Sequence, residues 1–524
     1  MAKALSNTQI VRAAAVVVGG FLASGILGLV RTAVFSSTFG ATLTLDAFYA
    51  AQSIPELLFV LIAGGALGSS FIPVFARFLS GSDEDGAWRL ASAVMSCVAL
   101  LSAALALILA IFAPQLLPIL VPDAPETMRE LTVSLTQVML VTVVIFSISG
   151  LLMGILNAQQ IFTLPAMALA ANNIGQIFGA LVITRMLPEE SRIYGLALGA
   201  VLGALLHLAV QLPGLPRVGA RLRFLPDPRV PGVREVLMLM LPRVFGLAVV
   251  QINFLVNLAL ASGMTSGSYT ALKTAWSLMF FALGVIAQGV GTAVFPSLSA
   301  LAAKGDMVGY KDRLAGAMRG VLFLSFPATI GLILLGAPAI SLLLERGEWT
   351  PEGTQATAWA LAFFAIGIAG HSLLEVLSRA FYALADTRTP VAVGVVSMGA
   401  NILLSLLLIR LIGDPDSLSR GAFAGLALAN ALTTLLEGAV LWWLLRRRIG
   451  GVNDGYVLDG AGRALAAAFG MGIVVWVVAN AVQPFGALVT TALGGAAGVG
   501  AFFALALALG IDEARSMLRV LLRR

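Results

Sequence analysis

ASAVMSCVALLSAALALILAIFA, residues 91–113, runs for 23 residues without an acidic or basic side chain. A helix of that length rises about 34 Å and covers the ~30 Å hydrocarbon core of a bilayer. Backbone groups in lipid have no water to bond, so such a segment has to be helical. Comparable runs occur at Ile10 to Val30, Leu131 to Ile155 and Ala461 to Val482. Composition points the same way: 59% of residues are hydrophobic and 11% charged, against about 25% charged in ordinary soluble domains. Mean hydropathy is +0.98. A soluble fold is excluded.

Between the apolar runs lie short polar breaks, of which RVGARLRFLPDPRVPGVR, Arg217 to Arg234, holds five arginines. The net charge of +6 is therefore topological, because arginines in short loops mark the cytoplasmic side. No nucleic-acid partner is implied. Cys97 is the only cysteine, and His207 and His371 the only histidines, so neither a disulfide framework nor a metal site is expected. No P-loop lysine motif is present, which argues against ATP-driven transport. Ile10 to Val30 is long for the apolar part of a signal peptide and is expected to stay as the first helix.

Breaking the chain at polar and Pro/Gly clusters yields about 14 spans of near-sufficient length. They fall at 10–37, 44–76, 89–113, 129–156, 161–186, 193–212, 235–262, 268–301, 313–344, 355–383, 389–412, 420–445, 460–483 and 486–510. An even number puts both termini on one side. That side carries Arg77, Arg89, the Arg217–Arg234 loop, Lys304, Lys311, Arg313, Arg446 to Arg448 and the tail arginines, while Asp123, Glu126, Glu189, Glu190, Glu345, Glu348, Asp414 and Asp416 mark the other. Both termini are expected in the cytoplasm.

An internal repeat organises these spans. Phe71-Ile72-Pro73-Val74-Phe75 recurs as Val294-Phe295-Pro296-Ser297-Leu298, an offset of 223 (296 − 73). Gly154-Ile155-Leu156-Asn157-Ala158 with Thr163-Leu164-Pro165 recurs as Ala380-Phe381-Tyr382-Ala383 with Arg388-Thr389-Pro390, an offset of 225 (390 − 165). The reading is an all-α polytopic membrane protein of two pseudo-symmetric six-helix lobes plus two C-terminal helices. Expected divisions are an N-lobe at 1–217, a basic cytoplasmic linker at 218–234, a C-lobe at 235–448, and the last two helices with a tail at 449–524. An even number of helices per repeat gives parallel halves, an arrangement that encloses a cavity open alternately to each side.

The motifs, taken in order, resemble one family. Ser24-Gly25-Ile26-Leu27-Gly28-Leu29-Val30-Arg31, Phe39-Gly40, Asp46-Ala47-Phe48 and Ile54-Pro55-Glu56-Leu57-Leu58 are similar to the opening of the MurJ/MviN flippases. The likeness continues through Phe295-Pro296-Ser297-Leu298-Ser299, Leu344-Glu345-Arg346-Gly347-Glu348-Trp349-Thr350 and Arg379-Ala380-Phe381-Tyr382-Ala383-Leu384-Ala385-Asp386-Thr387-Arg388-Thr389-Pro390. It implies the MOP exporter fold, an inner-membrane location, and outward translocation of lipid II, the undecaprenyl-pyrophosphate-linked peptidoglycan precursor. Membrane lipids surround such a transporter, and cell-wall synthesis proteins are its further candidate partners. No cofactor is expected; a coupling ion or the membrane potential is left open as the driving force. The chain departs from the family where charge is usual: Gly25, Phe59, Gly64, Trp276, Ser277 and Phe280 stand at commonly charged positions.

A diphosphate crossing a bilayer needs cationic and polar partners. The candidates left for substrate contact are Arg31, Asp46, Glu56, Lys273, Arg243, Asn253 and Asn257. Lys273 lies one turn from Ser277 and is a replacement cation; anchoring at an interface is its alternative use, and that of Arg31. Arg243 reads better as an anchor. Asn253 and Asn257 share a helix face, whereas Gln251 and Asn253 point apart. Interhelical hydrogen bonding is the competing role for that pair. Glu375 and Arg379 are spaced to pair with each other, and His371 to bond a neighbouring helix. Asp386 or Thr387 is expected to cap the helix that Pro390 begins. Two other functions stay open at this level: export of a different lipid-linked saccharide or amphiphile, and a degenerate scaffold that transports nothing.

Overall fold

The structure, a computed structural model, describes residues 7–62, 68–81 and 83–522. Its contacts divide the chain into two compact units, Met1–Gly263 and Met264–Arg524. The first contains α1 (Asn7–Phe39), α2 (Leu43–Phe59), α3 (Gly68–Ser80), α4 (Glu84–Leu120), α5 (Glu126–Met139), α6 (Val141–Ala158), α7 (Thr163–Phe178), α8 (Thr184–Met186), α9 (Tyr194–Ala209), α10 (Gly214–Arg217) and α11 (Val233–Ser262). The second contains α12 (Ser268–Leu283), α13 (Gly289–Ala303), α14 (Met307–Leu344), α15 (Pro351–Ile366), α16 (Ile368–Ala383), α17 (Arg388–Leu408), α18 (Ala424–Ile449), α19 (Asp454–Val482), α20 (Ala487–Ala508) and α21 (Asp512–Leu522).

Each expected span coincides with a helix or a broken helix. Among the described residues 11 helices are long and apolar enough to cross a membrane, or 12 with the bent pair α15–α16 taken as one, against the 14 expected. The long helices α1 and α11 stand outside that count, each contributing a shorter apolar stretch, Ala23–Phe39 and Gln251–Ser262. By contacts the units divide after α11, not at the basic linker. Val233, Val236 and Met240 explain this, since all three are buried in one cluster with Phe71, Phe75 and Trp88.

The repeat seen in the sequence extends to backbone detail. Asp83 caps α4 by accepting from Gly86 N, and 223 residues on (306 − 83) Asp306 caps α14 by accepting from Gly309 N. Such a cap satisfies one of the helix's orphan N–H groups. Following α2 the backbone widens into a π turn at 60–62, and following α12 it does so at Gly284–Gln288. Ser102 Oγ meets Ser147 Oγ at 2.7 Å between α4 and α6, and Ser325 Oγ donates to Ser372 Oγ at 2.9 Å between α14 and α16. Paired hydroxyls of this kind satisfy each other where lipid offers no partner.

Packing within each unit uses small residues where helices touch. On α7 and α9 a Cβ added at Gly175 would lie 2.4 Å from Gly203 Cα, and one at Gly179 would lie 2.3 Å from Gly199 Cα. The two backbones thus approach to a distance that only glycine permits, the small-residue seam typical of membrane helices. Pro114 in α4 removes the N–H that Ala110 O would accept, and Gln137 Nε2 of α5 donates to that carbonyl at 2.8 Å. In the second unit α19 and α20 pack on α14 around Phe323, Ala467, Met471 and Phe502.

The linker after α10 is not a free loop. Val218, Ala220, Leu222 and Leu225 pack on the cluster around Phe75 and Trp88. Arg223 N donates to Ser92 Oγ at 3.2 Å and Leu225 N to Ser96 Oγ at 2.8 Å.

Candidate transport site

Within the first unit, the helix that carries Asp46 and Glu56 is interrupted by Pro55. Proline frees the Ala51 carbonyl, and Thr136 Oγ1 of α5 stands 3.4 Å from it, with Thr132 Oγ1 3.5 Å from Ala47 O. Asp46 lies in the first turn of α2 at 5% exposure. Glu56, ten residues on, is exposed. Arg31 is half-buried on α1 with its guanidinium 5.9 Å from the Phe35 ring centroid, inside cation–π range.

Arg243 donates from Nη1 to Ser70 Oγ of α3 at 2.9 Å. That bond ties α11 to α3. Asn257 Nδ2 donates to Asn253 Oδ1 at 3.3 Å, so the two amides do share a face of α11. Asn257 Oδ1 is buried and accepts no hydrogen bond from the described residues.

In the second unit Lys273 is half-buried on α12, and its carbonyl accepts from Ser277 Oγ at 3.0 Å. Trp276, at a position where charge was expected from the resemblance, joins an aromatic cluster. It meets Phe280 at 6.0 Å, Phe364 at 5.4 Å and the His371 ring at 5.9 Å. Phe59 makes the corresponding arrangement in the first unit, 4.7 Å from Phe146, which stands edge-on to His207 at 5.4 Å. Aromatic packing against a histidine thus fills positions that the resembled family gives to charge.

Both histidines are engaged between helices. His371 Nε2 meets Asn430 Oδ1 at 3.1 Å, the interhelical bond expected. His207 Nδ1 meets Ser149 Oγ at 2.6 Å, and Gln211 Nε2 donates to the same hydroxyl at 2.7 Å. Arg379 and Glu375 pair at 2.6 Å, as their spacing predicted. Asp386 Oδ1 accepts from the N–H groups of Arg388 and Thr389 at 3.1 and 3.0 Å, and Arg448 closes on the other carboxylate oxygen. Those backbone and hydroxyl donors, reinforced by Arg448, hold the Asp386 carboxyl below its ordinary value.

Three features escaped the sequence reading. Glu437 lies mid-span on α18, half-buried, its Oε1 only 3.4 Å from where a Cβ at Gly394 would be. An ionisable residue at membrane depth was the available signal. Ser149, His207 and Gln211 form a buried polar triad whose His207 Nε2 and Gln211 Oε1 have no partner among the described residues. Arg319, 6% exposed on α14, pairs with Glu513 of α21 through two bonds of 2.6 and 2.8 Å, and its Cζ stands 4.0 Å from the Tyr456 ring centroid. Only distance in sequence hid that pair.

With this geometry in hand, comparison with known proteins is informative. A family model described as "Lipid II flippase MurJ" matches residues 35–495. "Lipid II flippase MurJ" of Burkholderia cenocepacia is 30% identical over 444 residues, covering 83% of this chain and 84% of that one. "Probable lipid II flippase MurJ" of Bdellovibrio bacteriovorus is 31% identical over 477 residues, covering 88% and 87%. Among solved structures, "Lipid II flippase MurJ, inward closed conformation" superposes with a TM-score of 0.76 at 20% identity, covering 95% of this chain and 98% of that one. An inward-facing multidrug resistance MATE transporter of the MOP superfamily reaches 0.67 at 15% identity over 82% of this chain and 96% of that one.

Proposed function

The chain belongs to the lipid II flippase MurJ family, and from that premise we propose that it moves lipid II across the membrane by alternating access. It is a multi-pass membrane transporter and not an enzyme. The observation that carries the reading is the span of the family match, 35–495, which takes in α2 to α19 and so most of both repeated units. Duplicated halves of one orientation are the architecture on which alternating access is built. The family resemblance supports the inner membrane as its place, and the positive-inside bias of the arginine-rich loops and tail supports termini that face the cytoplasm.

The physical task is to carry a diphosphate and a polar head through a medium that leaves an unpaired charge several kcal/mol or more uphill. In the first unit Arg31 is the candidate cation for such a cargo, with Asp46, Glu56, Asn253 and Asn257 as polar contacts and Arg243 near the entry side; in the second unit the candidate cation is Lys273. The aromatic clusters at Phe59 and Trp276 take the place of part of the family's usual charge, so fewer cations do the work here. A coupling ion or the membrane potential drives the cycle, and cell-wall synthesis proteins receive the product.

Complementation tests the proposal: expression in a strain depleted of its own lipid II flippase restores growth and cell shape. Failure at verified membrane levels, together with absence of lipid II translocation in proteoliposomes, would overturn it.

A further inference from the structure

In the second unit α17 and α18 meet along a polar seam. Gly394, Ser397 and Asn401 recur on α17 at spacings of three and four, and Thr433 and Glu437 stand four apart on α18, so each set shares one helix face. Asn401 Nδ2 donates to Thr433 Oγ1 at 3.1 Å, and Ser397 Oγ donates to the Thr433 carbonyl at 3.3 Å. Glu437 closes the seam. Its Oε1 lies over Gly394, 3.4 Å from where a Cβ would be, and the Ser397 hydroxyl is its hydrogen-bond partner. Since α18 runs from Ala424 to Ile449 as an apolar span, Glu437 stands about 20 Å from one end of the helix and about 18 Å from the other.

An ionised carboxylate inside a bilayer is costly without a counter-charge. Among the described residues none pairs with Glu437. The helices packed chiefly on α18 are α15, α16 and α17, and their ionisable groups are engaged or remote. Glu375 pairs with Arg379 at 2.6 Å, and His371 meets Asn430, two turns before Glu437. Glu352 and Arg388 are exposed at the starts of α15 and α17, and Tyr382 is exposed near the end of α16. Tyr310 of α14 donates to the Ala380 carbonyl, and Lys311 to that of Gly450, beyond the end of α18. On α18 itself Arg446 pairs with Asp454 at 3.4 Å, Arg447 stacks 3.9 Å from the Trp443 ring centroid, and Arg448 closes on Asp386.

The Ser397 hydroxyl shows how the missing charge is handled. A serine hydroxyl has one hydrogen and two acceptor lone pairs. With its hydrogen on the Thr433 carbonyl, Ser397 offers Glu437 only a lone pair, so the carboxyl is the donor and carries a proton. When the carboxyl O–H gives its proton to water, the carboxylate left behind can only accept. The Ser397 hydrogen then turns to it, and the tie to Thr433 breaks. Protonation of Glu437 is thereby linked to the contact between the two helices. The element free to respond is α17, on which only Pro390, Asn401 and Ser405 are buried and whose main neighbour is α18.

We propose that Glu437 is a proton-binding site of the transport cycle, protonated while Ser397 ties α17 to α18 and ionised when that tie opens. Resting on the transport reading above, this makes the proton the coupling ion.

The full-length protein in proteoliposomes is treated with dicyclohexylcarbodiimide, which adds to the O–H of a protonated carboxyl, and the adduct at Glu437 is quantified by peptide mass spectrometry from about pH 5 to about pH 10. On the alkaline limb the labelling rate should fall about tenfold per pH unit, the signature of one proton. Ser397→Ala removes the donor of the ionised form and should raise the rate there by about three- to tenfold, because a hydrogen bond to a charge is stronger than one to a neutral group. Glu437→Gln keeps a neutral donor toward Ser397 and should insert normally, yet lose lipid II translocation. Labelling that does not change with pH, absence of the adduct, or parental translocation by Glu437→Gln overturns the proposal. So does protection from labelling by Na⁺ or K⁺ at constant pH, which would assign the carboxylate to a metal cation. Should the parent itself move no lipid II, the cargo assignment falls, and the labelling curve with its Ser397→Ala shift still decides the proton site.

Discussion

Arg319 supplies the sharpest energetic test in the chain. Its guanidinium makes two parallel bonds to Glu513, of 2.6 and 2.8 Å, stacks 4.0 Å from the Tyr456 ring centroid, and closes over Gly460, where a Cβ would lie 2.4 Å from Nε. Removing one partner of a buried pair costs about 3–5 kcal/mol, because the other charge is left uncompensated. Glu513 retains 17% exposure, which places Arg319→Ala near the lower end, about 3 kcal/mol. Ala514, buried at 0% in the cluster of α14, α19 and α20, reports the consequence locally. With Cys97→Ser and Ala514→Cys, thiol labelling requires α21 to lift away, so its rate follows that opening equilibrium. At 1.4 kcal/mol per tenfold, Arg319→Ala should speed labelling roughly 100-fold. Lys at 319 should recover only part, since an ammonium neither forks nor stacks as a guanidinium does. Arg319→Ala combined with Glu513→Ala should be milder than the sum of the two. A labelling rate within threefold of the parent, or strict additivity, would refute the buried-pair reasoning.

Further outcomes are expected elsewhere. Lys273→Ala and Arg31→Ala should each abolish lipid II translocation in proteoliposomes with insertion intact, Lys273→Arg should keep part of it, and Arg243→Ala, which loses its bond to Ser70, should be milder; wild-type rates in both alanine variants would remove the cationic assignment. Gly179→Ala, pressing a methyl to within 2.3 Å of Gly199 Cα, should lower the thermal midpoint by the equivalent of about 1–3 kcal/mol, whereas Gly28→Ala, with nothing within 4 Å, should be neutral. Cysteines at Gly219 and Gly347 should label from opposite sides of intact cells, and labelling from the same side would contradict the expected topology. Because the folded-state value of Asp386 is depressed, its contribution to stability is full above about pH 3.9 and is lost as pH falls further toward the folded value. Amide exchange in the first turn of α17 should accelerate over that acid range, and Asp386→Asn should flatten the dependence.

How much of this was visible in the sequence follows from what each feature depends on. Spans were legible because membrane insertion acts on local composition, and among the described residues 11, or 12 with the bent pair α15–α16 taken as one, of the 14 expected are helices long and apolar enough to cross. Individual ions at membrane depth were legible too, since lipid makes each conspicuous; Glu437 was missed although that signal was present. Their partners were not legible, because a helix turns 100° per residue and only the tertiary fold decides which neighbour a given face meets. Arg243 with Ser70 spans 173 residues and Arg319 with Glu513 spans 194.

The repeat shows the same limit in sharper form. Prolines at an offset of 223 disclosed the duplication, yet the two copies use the aligned position on their long helices differently. Ser96 of α4 accepts the linker backbone at Leu225, while 223 residues on (319 − 96) Arg319 of α14 grips the carboxylate of α21. Duplication preserved the need for a docking group at that level of the helix, and each unit met it with the chemistry of the segment that follows it. An irregular linker segment offers an N–H and is met by a hydroxyl. An acidic helix start offers a carboxylate and is met by a guanidinium. Aligning the two halves by residue identity would score Ser96 and Arg319 as a mismatch, whereas by function they correspond.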